Sequence, residues 1–404
     1  MSKDHQKTGE KAASSGTGPT EAGTPGIEHL PGALFRALLW AEPLPPPMLS
    51  AARQAAQGTA INWSAIVEAL DTSGVGPLAI TRMKEIGVAD RIDPQAARRW
   101  EADRLHAELQ CTLQRRDAVR ITEHLTRLGI RHAFLKGFAV REWLYQPSWV
   151  RASSDSDLLI GPEDIERTRA ALFDLGFVQA SRTEDFRKFR PARPEEIAAT
   201  EAEHFELAQF ARVLRLANPP EWIFGPDYRR AAPSAFEQLP DGPILNSVVD
   251  VHWALHFHFA DDRPLDTLTT VRAREGGLDI PTVSIEWHVL YTAFKLYFEA
   301  FDRPGWGLHM LADLAALLRA GRSLDWSWLE AQGAKKDLDA MLFYTLSAAE
   351  RLVGQAIAPV DMMERLATGD VERPEGSKTE LDLGDFMPYV LRRRLASSFL
   401  ESSR

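Results

Sequence analysis

Hydrophobic residues recur at helical spacing along the first third of the chain. Large apolar side chains fall on one helical stripe at Leu30, Leu34, Phe35, Leu38 and Leu39. Further helices are predicted over about 48–57, 63–71 and 76–86. The longest helical pattern runs from about Pro94 to Leu128 and ends at Gly129, a residue type that commonly terminates helices. Residues 26–129 are therefore predicted to form a helical N-terminal region.

After Gly129 the pattern changes to short apolar runs separated by helices. Two runs predict strands, over Arg131–Leu135 and Ser156–Ile160. Between them, Lys136-Gly137 is predicted to be a turn that leads into a short helix over Phe138–Tyr145. The elements predicted next are a helix over Pro162–Leu175 and extended runs around Phe177–Ala180, His204–Ala211 and Leu245–His258. Residues 130–260 are therefore predicted to form an α/β core.

The end of the chain returns to helical spacing. Helices are predicted over about 285–300, 306–320, 324–332, 336–355 and 358–367, with a loop over Thr368–Gly384 and a last helix from about Pro388. Residues 261–404 are therefore predicted to form a helical C-terminal region. Residues 1–25 carry almost no large apolar side chain, so we predict a disordered tail there.

Three aspartates interrupt the predicted strands. Asp155 and Asp157 lie two residues apart, so that their side chains share one face of a strand. Two neighbouring carboxylates repel each other unless a cation lies between them, and magnesium prefers such oxygen ligands. Asp250 lies in a second apolar strand, where aspartate is uncommon. The spacing is therefore consistent with a three-carboxylate metal site, although a solvated turn and an exposed edge strand would also place aspartates in this way.

Basic and glycine residues near the aspartates are typical of a phosphate site. Gly137 would let backbone N–H groups approach a phosphate at the start of a helix, and Lys136 would add a positive charge. Arg151 precedes the aspartates and could contact a phosphate or offset their charge. The alternatives are a surface lysine before a turn glycine and a surface salt bridge for the arginine.

Other polar residues allow weaker hypotheses. His252, His256 and His258 alternate with Asp250 on one predicted face and could bind a transition metal, or instead support the site or contact a substrate. The remaining candidates are His204 and Glu206, which could approach the same site or have a structural role. Asp313 could line the cleft or be a charge on a helix face, and Cys111 is predicted to be a packed helix residue.

Composition narrows the classes of protein. The chain has 47 Lys and Arg residues against 57 Asp and Glu residues, a formal net charge of −10, which argues against a duplex nucleic-acid binder. Its single cysteine excludes an internal disulfide framework and a cysteine-rich metal site. Without an apolar run of about 18 residues or an apolar N-terminal segment, we expect no membrane partner and a cytoplasmic location.

Several sequence blocks resemble a known family. The blocks are Leu135-Lys136-Gly137-Phe138-Ala139, Arg151 followed by Asp155-x-Asp157, and Val249-Asp250-Val251-His252-Trp253. Together they resemble the uncharacterised nucleotidyltransferase family of the polymerase-β-like superfamily, over roughly residues 60–320. The resemblance implies an α+β fold with a small mixed sheet, flanked by the helical regions.

The resemblance also implies a reaction. By analogy with the superfamily, Asp155, Asp157 and Asp250 would hold two magnesium ions, with manganese as an alternative, and Lys136, Gly137 and Arg151 would bind the nucleotide. Phe138 stands where the wider superfamily has serine after the glycine, so the phosphate contacts should differ. We expect an enzyme that moves an NMP group from an NTP to a hydroxyl or phosphate of a small molecule and releases pyrophosphate. The alternatives are a toxin-like enzyme that modifies tRNA and a non-catalytic nucleotide-binding or scaffold protein.

Overall fold

The computed structural model describes residues 31–368, apart from residues 59–60, 64–65, 68–69, 71–72, 183–188, 204, 216–220, 232–243, 303–306, 322 and 337. The described helices are α1 (Gly32–Leu38), α2 (Pro46–Gly58), α3 (Gly76–Ile86), α4 (Pro94–Arg127), α5 (Lys136–Leu144), α6 (Ile165–Asp174), α7 (Pro194–Glu203), α8 (Pro226–Ala231), α9 (Ile285–Asp302), α10 (Leu308–Ala320), α11 (Trp326–Lys336), α12 (Asp339–Val353) and α13 (Val360–Thr368). The predicted tail over residues 1–25, nearly all of the predicted loop after Thr368 and the helix predicted from Pro388 lie outside the described residues.

Eight strands form one mixed sheet in the described part of the chain. They are β1 (His132–Leu135), β2 (Ser156–Ile160), β3 (Val178–Arg182), β4 (Phe189–Pro191), β5 (Phe210–Arg215), β6 (Ile244–His252), β7 (Thr269–Arg272) and β8 (Asp279–Thr282). Their order across the sheet is β4-β3-β5-β6-β2-β1-β8-β7. The central strand β2 runs antiparallel to β1 and parallel to β6.

The central strands are buried on both faces, as their unbroken apolar character requires. On β2, Leu158 and Ile160 join Phe134 of β1 in one core, against residues of α4 and α6. Leu159 points to the other face, into a larger core built from helices. Asp157 shares the face of Leu159 because strand side chains alternate. The side chain of Asp157 is therefore directed toward the face of the sheet that packs against the larger, helical core.

The two predicted helical regions pack into one core. Buried residues of α1, α2 and α3 cluster with those of α9, α10, α12 and α13. The N-terminal helices thus pack directly against the C-terminal ones and cover one face of the sheet. Most predicted helices are present within a few residues of their predicted ends, α3 among them. The predicted helix over 63–71 lies partly outside the described residues.

The long helix α4 spans 34 residues and has clear signals at both ends. The side chain of Asp93 accepts hydrogen bonds from the backbone N–H groups of Gln95 and Ala96, at 2.9 and 3.1 Å. After the helix, Gly129 adopts a left-handed conformation with φ of 68°, which a glycine tolerates without steric cost. The predicted end of this helix is confirmed.

Several features differ from the prediction. Strands β7 and β8 lie within the region predicted to be helical from residue 261, and β8 pairs with β1, so the sheet continues to Thr282. Their short, largely polar sequences carry little alternation, which hid them. The strand predicted to reach His258 ends at His252, and Lys136 and Gly137 open helix α5 without a separate turn. Strand β4 and helix α7 were not predicted.

None of the helices in the described residues is both long and apolar enough to cross a membrane.

The helical core should dominate the stability of the protein. Leu317 on α10 is fully buried, so Leu317→Ala should lower the free energy of unfolding by about 2–5 kcal/mol, through lost burial and a cavity. Leu128 is 41% exposed, so Leu128→Ala should change the free energy of unfolding by less than about 0.5 kcal/mol. Urea denaturation of both variants measures the difference. Equal losses in the two variants would contradict the described core.

Candidate active site

A cleft of about 810 Å³ lies on the face of the central strands that carries Asp157. It is lined by all six residues predicted to form the site, namely Lys136, Gly137, Arg151, Asp155, Asp157 and Asp250. Helix α9 contributes Tyr291, Thr292 and Lys295 to the wall, and α4 contributes Asp103, His106 and Gln110. The cleft is within the usual size range of small-molecule sites.

The pairing of β2 with β6 determines where two of the aspartates lie. Asp157 and Asp250 are direct partners in the parallel register of these strands. Asp155 precedes Asp157 by two residues, and all three carboxylates face the same cleft. A shift of the register by one residue would turn Asp250 to the opposite face, where Val249 and Val251 are buried. The apolar residues of β6 therefore hold its aspartate in the cleft.

Lys136 forms the central ion pair of the site. Its Nζ lies 2.7 Å from Oδ1 of Asp157, and the ammonium also lies 5.2 Å from the centre of the Tyr291 ring. Burial alone would lower the pKa of this lysine, but the Asp157 carboxylate raises it above its usual value. Burial would likewise raise the pKa of Asp157, but Lys136 and His252 hold it well below its usual range. Both groups are therefore charged at neutral pH.

The ionised forms of the other two aspartates are disfavoured. Burial, together with the negative charges of Asp155 and Asp157, raises the pKa of Asp250 to about 8. Burial and the charge of Asp157 also raise the pKa of Asp155. The amide Nε2 of Gln209 donates a hydrogen bond to Oδ1 of Asp250 at 2.7 Å. Asp250 is therefore largely protonated at neutral pH, and a cation beside the three carboxyl groups would favour their ionised forms.

Gly137 allows the start of α5 to approach the loop that carries the aspartates. A Cβ atom at this position would lie 2.8 Å from Oγ of Ser153. That hydroxyl donates a hydrogen bond to the backbone oxygen of Asp155 at 3.0 Å. Lys136 beside it adopts φ of 46°, a left-handed conformation that is costly for a side chain other than glycine. The strand therefore turns into the helix within a single strained residue.

Arg151 lies at the cleft but is occupied by a buried carboxylate. Its guanidinium donates from Nε and Nη2 to Asp313 of α10, with the shortest contact at 2.9 Å. The hydroxyl of Tyr145 donates to the same carboxylate at 2.7 Å. Arg151 therefore anchors the loop before Asp155 to the helical core. This arrangement places Asp313 in the cleft wall, one of the two alternatives raised by the sequence.

The histidines divide into two groups. His252 lies on the cleft face, with Nε2 at 3.1 Å from Oδ1 of Asp157 and Nδ1 at 3.4 Å from Oε2 of Glu206. His256 and His258 lie beyond the end of β6, where their rings stack on each other and contact Phe294. The alternation predicted through His258 is therefore wrong, and His204 lies outside the described residues.

Cys111 is a packed helix residue. Its thiol is buried and lies 3.5 Å from side-chain oxygens of Glu142 and Ser148. Burial raises the pKa of this thiol, which keeps it protonated at neutral pH.

The carboxylate oxygens of the three aspartates are the type of ligand that magnesium binds. In the described part of the chain, no group of three His, Cys, Asp or Glu side chains has the arrangement needed to hold a metal ion. Each aspartate instead has an internal donor, namely Lys136 on Asp157, Gln209 on Asp250 and Ser154 on Asp155. Carboxylate oxygens are nevertheless the ligands that magnesium prefers, and their mutual repulsion would be relieved by a cation. Metal binding would therefore require the carboxylates to exchange these partners.

Comparison with known proteins identifies the family. The sequence pattern of a family described as uncharacterised nucleotidyltransferase matches residues 59–354, well over half of the chain. The chain belongs to this family. The resemblance noted in the sequence and the expected α+β fold with its mixed sheet are thereby confirmed. Proteins of this family are described as enzymes that transfer nucleotidyl groups.

Two further comparisons add context. No curated protein is significantly similar to this chain. Among solved structures, an antigenic nucleotidyltransferase-like protein from Paracoccidioides brasiliensis is similar at a TM-score of 0.33 and 16% identity, over 63% of this chain and 96% of that one.

Sequence reasoning missed several residues in or beside this cleft. Lys295 is the one Lys or Arg residue of a largely apolar helix, and a basic residue in the middle of such a helix could have indicated an inward-facing group. Gln209 sits just before β5 and Ser153 in a loop, where neither residue type is unusual. Their roles depend on contacts with Asp250 and with the Asp155 backbone, which only the folded structure shows.

The aspartates should differ in their effect on stability without metal. Asp155→Asn should raise the free energy of unfolding, because its ionised form is disfavoured in the fold. Asp157→Asn should lower it, near the lower end of the about 3–5 kcal/mol typical of a broken buried pair, because Lys136 loses its partner but keeps 24% exposure.

Urea denaturation in a chelating buffer at neutral pH measures both effects. The two substitutions have the same size and remove the same charge, so each is the control for the other. A stability change of the same sign in both variants would contradict the described charge pattern.

Proposed function

We propose that the protein is a magnesium-dependent enzyme that transfers an NMP group from an NTP to a hydroxyl or phosphate of a small-molecule acceptor. Pyrophosphate is the second product. The proposal refines the nucleotidyl transfer of the family, and it rests above all on one observation. Asp157 and Asp250 are register partners on adjacent parallel strands, and Asp155 and Lys136 face the same cleft.

The aspartates supply the metal-binding oxygens. Asp155 and Asp157 would hold the ion bound to the nucleotide, and Asp250 would join them around a second ion. Magnesium ions at this position would stabilise the charge that develops on the attacking and leaving oxygens. The raised pKa of Asp250 supports this assignment, because a carboxylate crowded by like charges gains most from a nearby cation.

Lys136 and the start of α5 would bind the phosphates. The ammonium of Lys136 already lies against Asp157, so a phosphate bound near that carboxylate would also meet a fixed positive charge. Backbone N–H groups at the N-terminus of α5 would add to this attraction, because Lys136 and Gly137 both line the cleft. Because Gly137 has no Cβ, a phosphate and the Ser153 loop can both lie close to this backbone.

Asp250 would also help to activate the acceptor. Gln209 donates a hydrogen bond to its Oδ1, and once a nearby cation favours the ionised carboxylate, Oδ2 could accept the proton of an attacking hydroxyl. A small acceptor is favoured over tRNA because the cleft has the volume of a small-molecule site and carries an excess of carboxylates. The long phosphate backbone of an RNA would be repelled by those carboxylates, whereas the short triphosphate of an NTP would enter together with magnesium.

Calorimetry with each NTP at a series of magnesium concentrations tests the proposal. The wild type should bind at least one NTP only when magnesium is present, and Asp155→Asn should weaken that binding strongly. Asp250→Asn should retain more of it, because Asp155 and Asp157 still hold the nucleotide-bound ion. Transfer of label from an α-labelled NTP to a cell extract should fall by several orders of magnitude in both variants.

Arg365→Gln is a suitable control, because this residue lies on the surface helix α13 and pairs with Glu330. It should bind and transfer as the wild type does. A wild type that binds no NTP at any magnesium concentration would contradict the proposal and favour a scaffold role. Label found only in RNA would favour the tRNA-modifying alternative.

A further inference from the structure

A second cavity adjoins the cleft at Asp250. It has a volume of about 300 Å³, near the lower end of the size range of small-molecule sites. Arg182, Glu206 and Asp250 line both this cavity and the cleft. Gln209 lines the second cavity and donates its hydrogen bond to Asp250 at 2.7 Å. The carboxyl group of Asp250 therefore lies where the two cavities meet.

The strand order places the second cavity opposite the residues that would bind the phosphates. Lys136 follows β1, and β2 separates β1 from β6, which carries Asp250. On the other side of β6 lie β5 and β3. The second cavity is lined by Ser181 of β3 and by Gln209, just before β5. Because neighbouring strands are about 4.8 Å apart, Lys136 and this cavity lie on opposite sides of the aspartates.

An in-line transfer needs such an arrangement. The attacking and leaving oxygens lie on opposite sides of the phosphorus in this class of reaction. If the phosphates bind next to Lys136, on the side of β1, the acceptor hydroxyl must approach from the side of β5 and β3. The second cavity lies on that side, and Asp250 is part of its lining.

We propose that the second cavity is the acceptor subsite and that it binds a neutral, polyhydroxylated small molecule. The inference rests on the proposed function and deepens it, because it names where the acceptor binds and its chemical class. A hydroxyl of the acceptor would give its proton to Oδ2 of ionised Asp250 while its oxygen forms a bond to the α-phosphorus. The bond from that phosphorus to the oxygen bridging to the β-phosphate breaks, and pyrophosphate leaves with the electron pair.

The charged groups of the second cavity favour a ligand without net charge. Glu196 lines the cavity, but its carboxylate already accepts hydrogen bonds from the guanidinium groups of Arg190 and Arg193, both at 2.8 Å. Apart from the reacting aspartate, the other charged lining residues are Arg182 and Glu206, which have opposite signs. The cavity therefore offers little net charge to attract either a cationic or an anionic acceptor.

Uncharged hydrogen-bonding groups make up much of the remaining lining. They are the hydroxyls of Ser181 and Thr200 and the amide of Gln209. The hydroxyl of Ser181 donates to Glu196 at 3.0 Å, so its oxygen can still accept a hydrogen bond from a ligand. Each hydroxyl of a polyhydroxylated compound can both donate and accept hydrogen bonds, as this lining requires.

Substitutions on α7 test the subsite. Thr200→Tyr should fill the cavity, and Thr200→Ser keeps the hydroxyl. Thr200→Gln fills less of the cavity and replaces the tyrosine variant if that variant does not fold. Ala199→Tyr adds a tyrosine ring at the neighbouring, exposed position of the same helix and is the matched control. Thermal unfolding without ligand verifies that each variant folds.

The probes are glycerol, ribose, glucose and myo-inositol, together with the uncharged, acidic and basic metabolite fractions of a cell extract. Saturation-transfer NMR measures their binding without nucleotide, and an α-labelled NTP with magnesium measures transfer to them. Calorimetry measures the affinity for the NTP.

The wild type should bind compounds of the uncharged fraction and label them. Thr200→Tyr should lose about tenfold or more in both measurements, as expected when polar ligand contacts are lost. Its affinity for the NTP should stay within about twofold, because the nucleotide binds on the other side of Asp250. Thr200→Ser and Ala199→Tyr should behave as the wild type. A merely structural role of Thr200 would not separate acceptor binding from NTP binding in this way.

If Thr200→Tyr binds and labels uncharged compounds as the wild type does, the subsite is overturned and the proposed function remains intact. Label found only in the acidic or the basic fraction would overturn the proposed acceptor class. If the wild type binds uncharged compounds that Thr200→Tyr does not bind, but binds no NTP, the cavity is a site for such compounds and the proposed function fails. If the wild type binds no uncharged compound, the subsite is wrong whether or not the NTP binds.

Discussion

The ion pair between Lys136 and Asp157 is the interaction on which the cleft depends. It joins the end of β1 to the start of β2, two strands that are already antiparallel neighbours. It also holds Lys136 in a left-handed backbone conformation that the residue would otherwise avoid. With this pair in place, the chain turns from strand to helix at once and brings Gly137 against the Ser153 loop. Electrostatics and local backbone geometry therefore support each other at one point.

This ion pair leaves the carboxyl groups of Asp155 and Asp250 without a matching positive charge. One lysine offsets Asp157, but Asp155 and Asp250 remain beside it with raised pKa values. Strand pairing forces this crowding, because the apolar face of β6 permits only the register that turns Asp250 inward. A fold that keeps unfavourable carboxylates together usually does so for a ligand, and a divalent cation with a nucleotide would satisfy this cluster.

Much of the helical and central architecture could be predicted from the sequence. The strand at Ser156–Ile160 and the end of α4 at Gly129 follow from local periodicity and turn chemistry. Strands β7 and β8 could not be predicted, because their polar residues are ordered by strand pairing, of β8 with β1 and of β7 with β8, rather than by their own pattern. The aspartates could be singled out in the sequence because carboxylates are rare in apolar strands. Gln209 could not, because its role is a hydrogen bond to Asp250, which is distant in sequence.

The central claim is that Asp155, Asp157 and Asp250 share metal ions with a bound nucleotide. The most direct measurement is anomalous scattering from crystals grown with Mn²⁺ and a non-hydrolysable α,β-methylene NTP analogue. We expect one or two manganese peaks within coordination distance of these carboxylates, with the phosphates next to Lys136 and the start of α5. Nucleotide bound elsewhere, or manganese that leaves all three aspartates with their present hydrogen-bond partners, would contradict the account.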